Sequence, residues 1–115
     1  MGQVPRLQMT TKSDIEPGRI RGPPAKSRVL MSGMMQNQGF VITKIEMRQY
    51  VERTDEKLGD YSLLTAVVDT DRGSVEMKYD EGFRGPDAFD SAVTMLLQYV
   101  GLSALINRAL IALSE

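Results

Sequence analysis

The chain has 115 residues, 42% of them hydrophobic and 25% charged, which is ordinary for one small soluble globular domain. It contains no cysteine and no histidine, which excludes disulfides, thiolate metal sites and cysteine nucleophiles and removes the most common general base. The net charge of −1 conceals an asymmetry, because residues 1–28 carry six basic and two acidic residues (+4) and the remainder carries 8 basic and 13 acidic residues (−5).

The N-terminal segment, residues 1–37, is predicted to be an extended or disordered basic arm. Four of the five prolines precede residue 25, and no helical or alternating apolar pattern persists there. The arm could lie along phosphates or along the acidic surface of a neighbouring subunit, and a solvated leader without a specific role explains the same composition. The candidate nucleic-acid contacts are Arg19, Arg21, Lys26 and Arg28.

The first residues carry no secretory signal. Residues 1–11 lack an apolar core of the length that a signal peptide needs, because Pro5, Arg6 and Gln8 interrupt them. A cytoplasmic location is therefore the expectation.

Residues 39–81 are predicted to form an antiparallel β-meander of three strands. Residues 40–52 alternate between apolar and charged side chains, and this places Ile45 and Met47 on the buried face and Phe40, Ile42 and Tyr50 on the wet face. Residues 61–68 are apolar on both faces, which is typical of a central strand. Residues 74–80 alternate again, and the apolar patch near residues 28–35 admits a fourth short strand.

Two short motifs connect these elements. Asp69-Thr70-Asp71-Arg72-Gly73 has the carboxylate spacing that begins a calcium loop, but positions five, six and twelve depart from that pattern, and a hairpin turn explains the same residues. Gly82-Phe83-Arg84-Gly85 precedes a helix whose start could bind an anion, but a flexible strand-to-helix joint is favoured because Asp87 and Asp90 would repel phosphate.

Residues 86–115 are predicted to form a long C-terminal helix with a bend or break at Gly101. Pro86 and Asp87 are typical of a helix start, and glycine weakens a helix interior. Between Ser91 and Ser114 the only charged residue is Arg108, so apolar side chains surround nearly the whole helix.

Three structures explain such an apolar helix. It could be buried on two sides within one compact fold, it could pack on its own sheet and on another chain, or it could be a membrane anchor. The anchor is disfavoured because residues 92–106 are too short to span a bilayer and an extension would include Asn107 and Arg108. The predicted partner interface comprises Met95, Tyr99, Leu102, Leu105, Ile106, Arg108 and Ile111.

The sequence therefore predicts an α+β fold: an arm at 1–37 and a single domain at 38–115, with the meander packed by the C-terminal helix. The predicted function is a non-catalytic assembly or docking module that forms a homo-oligomer or binds a protein partner through this helix. The alternative is a nucleic-acid-binding protein that uses residues 1–28 and a sheet face. No catalytic residue, cofactor, metal or small-molecule ligand is inferred, and no pair of polar residues has a spacing that indicates catalysis.

Overall fold

The structure is a computed structural model that describes residues 23–57, 59–83 and 88–115. A four-stranded antiparallel sheet precedes two helices, which confirms the predicted α+β class. Each strand pairs with its neighbour in sequence, in the sheet order β1-β2-β3-β4. The elements are β1 (Lys26–Asn37), β2 (Phe40–Asp55), β3 (Gly59–Thr70), β4 (Gly73–Phe83), α1 (Ala88–Tyr99) and α2 (Leu102–Ser114).

The sheet has four strands where the main prediction has three. The segment near 28–35 forms a 12-residue edge strand, β1, that pairs with β2 from Lys26 opposite Gln49 to Asn37 opposite Phe40. Two register irregularities interrupt this strand, so its side chains do not keep the two-residue period that a sequence pattern detects. Residues 26–37, which we predicted as part of the arm, therefore belong to the sheet, and residues 1–22 lie outside the described residues.

Each of the two hairpins at one end of the sheet contains residues with positive φ, in the turn or directly after it. Gln38 and Gly39 have φ values of 52° and 84°, as the two central residues of a type I′ turn require. Gly73, at φ 128°, follows the turn between β3 and β4, which confirms a hairpin there. The Arg72 guanidinium stacks on the Phe40 ring at 3.8 Å and donates a 2.8 Å hydrogen bond to the Gly39 carbonyl, so it ties the two hairpins together.

A β-bulge in β2 overturns part of the predicted alternation. Ile42 pairs with Thr70 and Lys44 with Asp69, so Thr43 is an extra residue in β2. The side chains before and after it therefore do not follow one continuous alternation between the two faces. Phe40 and Ile42 consequently join the core that contains Ile45, and the prediction that they lie on the wet face is wrong.

One face of the sheet and the two helices enclose the core. The central position of β3 is confirmed, because every residue from 62 to 68 is buried. Leu64, Ala66 and Val68 of β3 belong to the core between the sheet and the helices. Val67 is also buried, but it is not part of that core. The helices contribute Phe89, Val93 and Leu96 from α1 and Leu105, Ile106, Ala109, Leu110 and Ala112 from α2.

The C-terminal helix is broken at Gly101, and α1 and α2 meet at 87°. Gly101 has φ 91° and ψ 152°, a conformation that is essentially restricted to glycine. The amides of Val100 and Gly101 both donate to the Leu96 carbonyl, and the Gly101 carbonyl accepts from Leu105, so this glycine ends one helix and begins the next. The predicted start at Pro86 and Asp87 lies outside the described residues.

Candidate interaction surface

An exposed apolar surface surrounds the junction of the two helices. Four large apolar side chains within eight consecutive residues remain open to solvent, and we call them the elbow surface: Met95 (56% exposed), Tyr99 (73%), Val100 (45%) and Leu102 (37%). Isolated exposed apolar residues are common on soluble proteins, but four of them beside one helix junction make this region a candidate contact surface.

The elbow surface arises from the positions of its members on α1. Phe89, Val93 and Leu96 occupy the stripe that faces the sheet. Met95 and Tyr99 are four residues apart, so they stack along one side of the helix, next to that stripe. Val100 and Leu102 flank Gly101, where the chain turns by 87°, so the four exposed side chains lie on both sides of the junction.

The structure divides the predicted interface residues into two groups. Met95, Tyr99, Leu102 and Ile111 are exposed, and Ile111 lies about 13 Å along α2 from Leu102 by helix rise. Leu105 and Ile106 are buried in the chain's own core, so they do not belong to an exposed surface. The sequence did not separate the buried from the exposed residues of α2, because a helix that is apolar nearly all round carries no signal for which side faces the sheet.

Arg108, which we predicted at the interface, makes contacts within the chain. Its guanidinium lies 4.9 Å from the centre of the Tyr79 ring and donates a 3.2 Å hydrogen bond to the Lys78 carbonyl of β4. The neighbouring Asn107 accepts a 2.9 Å hydrogen bond from Gln38 in the β1–β2 turn. The polar residues of α2 therefore anchor this helix on the sheet.

The predicted nucleic-acid contacts are only partly described. Lys26 and Arg28 are exposed at the start of β1, and Arg19 and Arg21 lie outside the described residues. Phe40 and Tyr50, the aromatic residues that we predicted could stack bases, are only 5% and 6% exposed. Neither ring is available as a stacking platform.

The sheet face opposite the helices carries a polar network that sequence reasoning did not assemble. The carboxylate of Glu76 in β4 accepts hydrogen bonds from the Tyr50 hydroxyl at 3.0 Å and the Thr65 hydroxyl at 2.6 Å. Arg48 donates to Glu46 at 2.9 Å and lies 3.9 Å from Glu76. The alternating charges of β2 predicted cross-strand pairs, but only the register of the whole sheet shows that Glu76 of β4 lies beside Arg48 and Tyr50 of β2.

The surroundings of Tyr50 raise the pKa of its hydroxyl. Burial raises the pKa of the Tyr50 hydroxyl above its ordinary value of 10.0, the hydrogen bond from Arg48 opposes that shift, and the Glu76 carboxylate adds to it. The protonated Tyr50 hydroxyl can donate to Glu76, so the polar groups of this network satisfy one another within the sheet.

The carboxylates of the calcium-like segment are also engaged in structure. Asp69 accepts a 2.6 Å hydrogen bond from Ser74 and pairs with Lys44 at 3.8 Å, and Asp71 accepts a 2.9 Å hydrogen bond from the Val41 amide. In the described part of the chain, no three acidic side chains come together as a metal site.

Neither α1 nor α2 alone is long and apolar enough to cross a bilayer, whereas the two together, as a pair bent by 87°, have sufficient length and apolar character.

No protein-family model, curated protein or solved structure matches this chain.

Proposed function

We propose that the protein is a non-catalytic assembly module whose elbow surface binds a second copy of the same chain. The observation that supports this is the group of four exposed apolar side chains, Met95, Tyr99, Val100 and Leu102, around one helix junction. These four side chains carry no formal charge, so two copies can cover each other across a two-fold axis without leaving an ion unpaired. Apolar and aromatic residues of this kind are enriched in interface cores.

The size of the surface sets the expected affinity. Full burial of a large apolar side chain contributes about 1.5–3 kcal/mol, so covering the exposed halves of four side chains contributes about 3–6 kcal/mol per chain. A symmetric dimer gains this twice, and association costs roughly 4–15 kcal/mol. The elbow surface alone therefore supports a weak, concentration-dependent dimer, and tighter assembly requires further contacts.

The basic N-terminal segment is the proposed source of those further contacts. Residues 1–28 carry a charge of +4 and the rest of the chain −5, so this segment of one chain is complementary to the body of another. Because such attraction is screened by salt, the self-association constant is expected to fall between low and physiological ionic strength.

Sedimentation velocity with light scattering, from about 10 μM to 1 mM, tests the proposal. We expect a monomer–dimer equilibrium that Tyr99→Glu shifts to monomer, because the substitution places a charge on the elbow surface. Thr94→Glu is the matched control, since Thr94 is exposed on the same helix, about 140° around its axis from Tyr99. A chain that remains monomeric at 1 mM, or a dimer that both variants leave intact, would refute the proposed interface.

Nucleic-acid binding is the second candidate, favoured by the exposure of Lys26 and Arg28 and by the charge of residues 1–28. Fluorescence anisotropy with a labelled single-stranded oligonucleotide measures it. Salt-sensitive binding that weakens in a Lys26→Ala/Arg28→Ala variant, with the exposed Lys57→Ala as control, would support this function. The absence of binding at low salt would exclude it.

A further inference from the structure

The methionines of the described chain differ sharply in their access to solvent. Met34, in the irregular part of β1, is 82% exposed, and Met95, on the elbow surface, is 56% exposed. Met47 and Met77 in the sheet core are each 0% exposed. Since the chain has no cysteine, methionine provides its only sulfur atoms.

We propose that Met95 is an oxidation site through which a hydroperoxide weakens self-association at the elbow surface. The inference rests on the proposed function, because it assigns a means of regulation to the same surface. The Met95 sulfur donates a lone pair to one peroxide oxygen and the O–O bond breaks. An S–O bond forms, and the second oxygen takes up the proton of the first and leaves, as water from hydrogen peroxide or as an alcohol from an organic hydroperoxide. The sulfur loses two electrons and the peroxide gains them.

The position of Met95 gives this reaction a consequence that Met34 lacks. Methionine sulfoxide is polar, so oxidation replaces an apolar group of the elbow surface with one that must be desolvated when the surface is covered. Met95 lies one helical turn before Tyr99, on the same side of α1. Met34 lies on the edge strand β1, outside the elbow surface, and its oxidation leaves that surface unchanged.

Assembly and oxidation of Met95 are therefore expected to compete. The dimer covers Met95 and the monomer exposes it, so peroxide reacts with the free chain and removes it from the equilibrium. The oxidation rate of Met95 should decrease as protein concentration rises, while the rate of Met34 should be independent of concentration.

The experiment treats the full chain with hydrogen peroxide at several protein concentrations and quantifies the sulfoxide at each methionine by peptide mass spectrometry. At low concentration, Met34 and Met95 should oxidise at similar rates and Met47 and Met77 roughly tenfold more slowly, since oxidation follows exposure. Light scattering on the treated protein should show self-association weakened on the order of tenfold.

Two variants separate the site from general damage. Met95→Leu keeps an apolar side chain of similar volume without the reactive sulfur, so its own self-association constant should be the same before and after peroxide treatment. The constant of Met34→Leu should fall on treatment as that of the wild type does. Association that survives complete oxidation of Met95, or that Met95→Leu fails to protect, would overturn the oxidation proposal alone. A chain that does not associate before treatment would overturn it together with the proposed function.

Discussion

Replacing Gly101 with alanine tests whether its backbone conformation sets the angle between the two helices. At φ 91° and ψ 152°, an L-residue is strained by about 1–3 kcal/mol. A Cβ at this position meets no atom within 4 Å, so the penalty is torsional, with no steric clash to add to it. The reduced freedom of the unfolded chain offsets at most ~1 kcal/mol. We therefore expect Gly101→Ala to lower the free energy of unfolding by about 1–2 kcal/mol.

A competing response is that the two helices merge into one straight helix. Alanine favours a helix interior over glycine by about 1 kcal/mol, but straightening would remove Leu105, Ile106 and Leu110 from the core. Each of these side chains contributes about 1.5–3 kcal/mol when buried, so the strained bend costs less than the straight helix. The 87° bend should persist in the variant.

Urea denaturation followed by circular dichroism measures both responses. The Gly101→Ala variant should show a lower midpoint, an unchanged denaturant slope and unchanged helix content, and Ser103→Ala, at an exposed position in the first turn of α2, is the control. Wild-type stability would contradict the argument that the positive φ is strained in alanine. Increased helix content with a reduced slope would show that the helices had merged.

Two further predictions concern the polar network and the core. Because the pKa of Tyr50 is raised in the folded chain, its contribution is present below the unfolded value of about 10 and is lost as pH rises through the folded value, so the free energy of unfolding should decline above about pH 10. Tyr50→Phe should remove this decline in stability at high pH and should cost about 0.5–1.5 kcal/mol at neutral pH, because the hydrogen bond to Glu76 is lost. The control Tyr99→Phe, measured over the same pH series, should keep the decline. Equal pH profiles for the two variants would contradict the assignment of the decline to Tyr50. Ile106→Glu should destabilise the fold by roughly 3–5 kcal/mol, because it buries an unpaired charge; near-native thermal unfolding of this variant would show that Ile106 is not in the core.

The α+β class and the central strand were predictable because they follow from local periodicity. Seven consecutive buried residues from 62 to 68 appear in the sequence as a run that is apolar on both faces, and that signal does not depend on any partner strand. Gly101 was similarly visible as a break in an apolar helix. The bend at this residue follows from glycine's backbone freedom, which is a property of a single position.

Features that depend on register were not predictable from local patterns. The bulge at Thr43 places Phe40 and Ile42 in the core, although strict alternation assigns them to the opposite face. The irregularities of β1 hide a 12-residue edge strand in the same way, since one extra residue reverses every side chain that follows. The Tyr50–Glu76–Thr65 network joins three strands, and only the complete pairing brings it together.

The sequence by itself determined that the C-terminal segment is apolar, helical, interrupted at Gly101 and nearly without charge. The tertiary structure decided which of its apolar residues remain exposed. Leu105 and Ile106 are buried in the core, whereas Met95 and Tyr99 lie beside the stripe of α1 that faces it and remain exposed. An apolar helix lacks a polar face that would orient it, so only packing against the sheet selects the side that remains available to a partner.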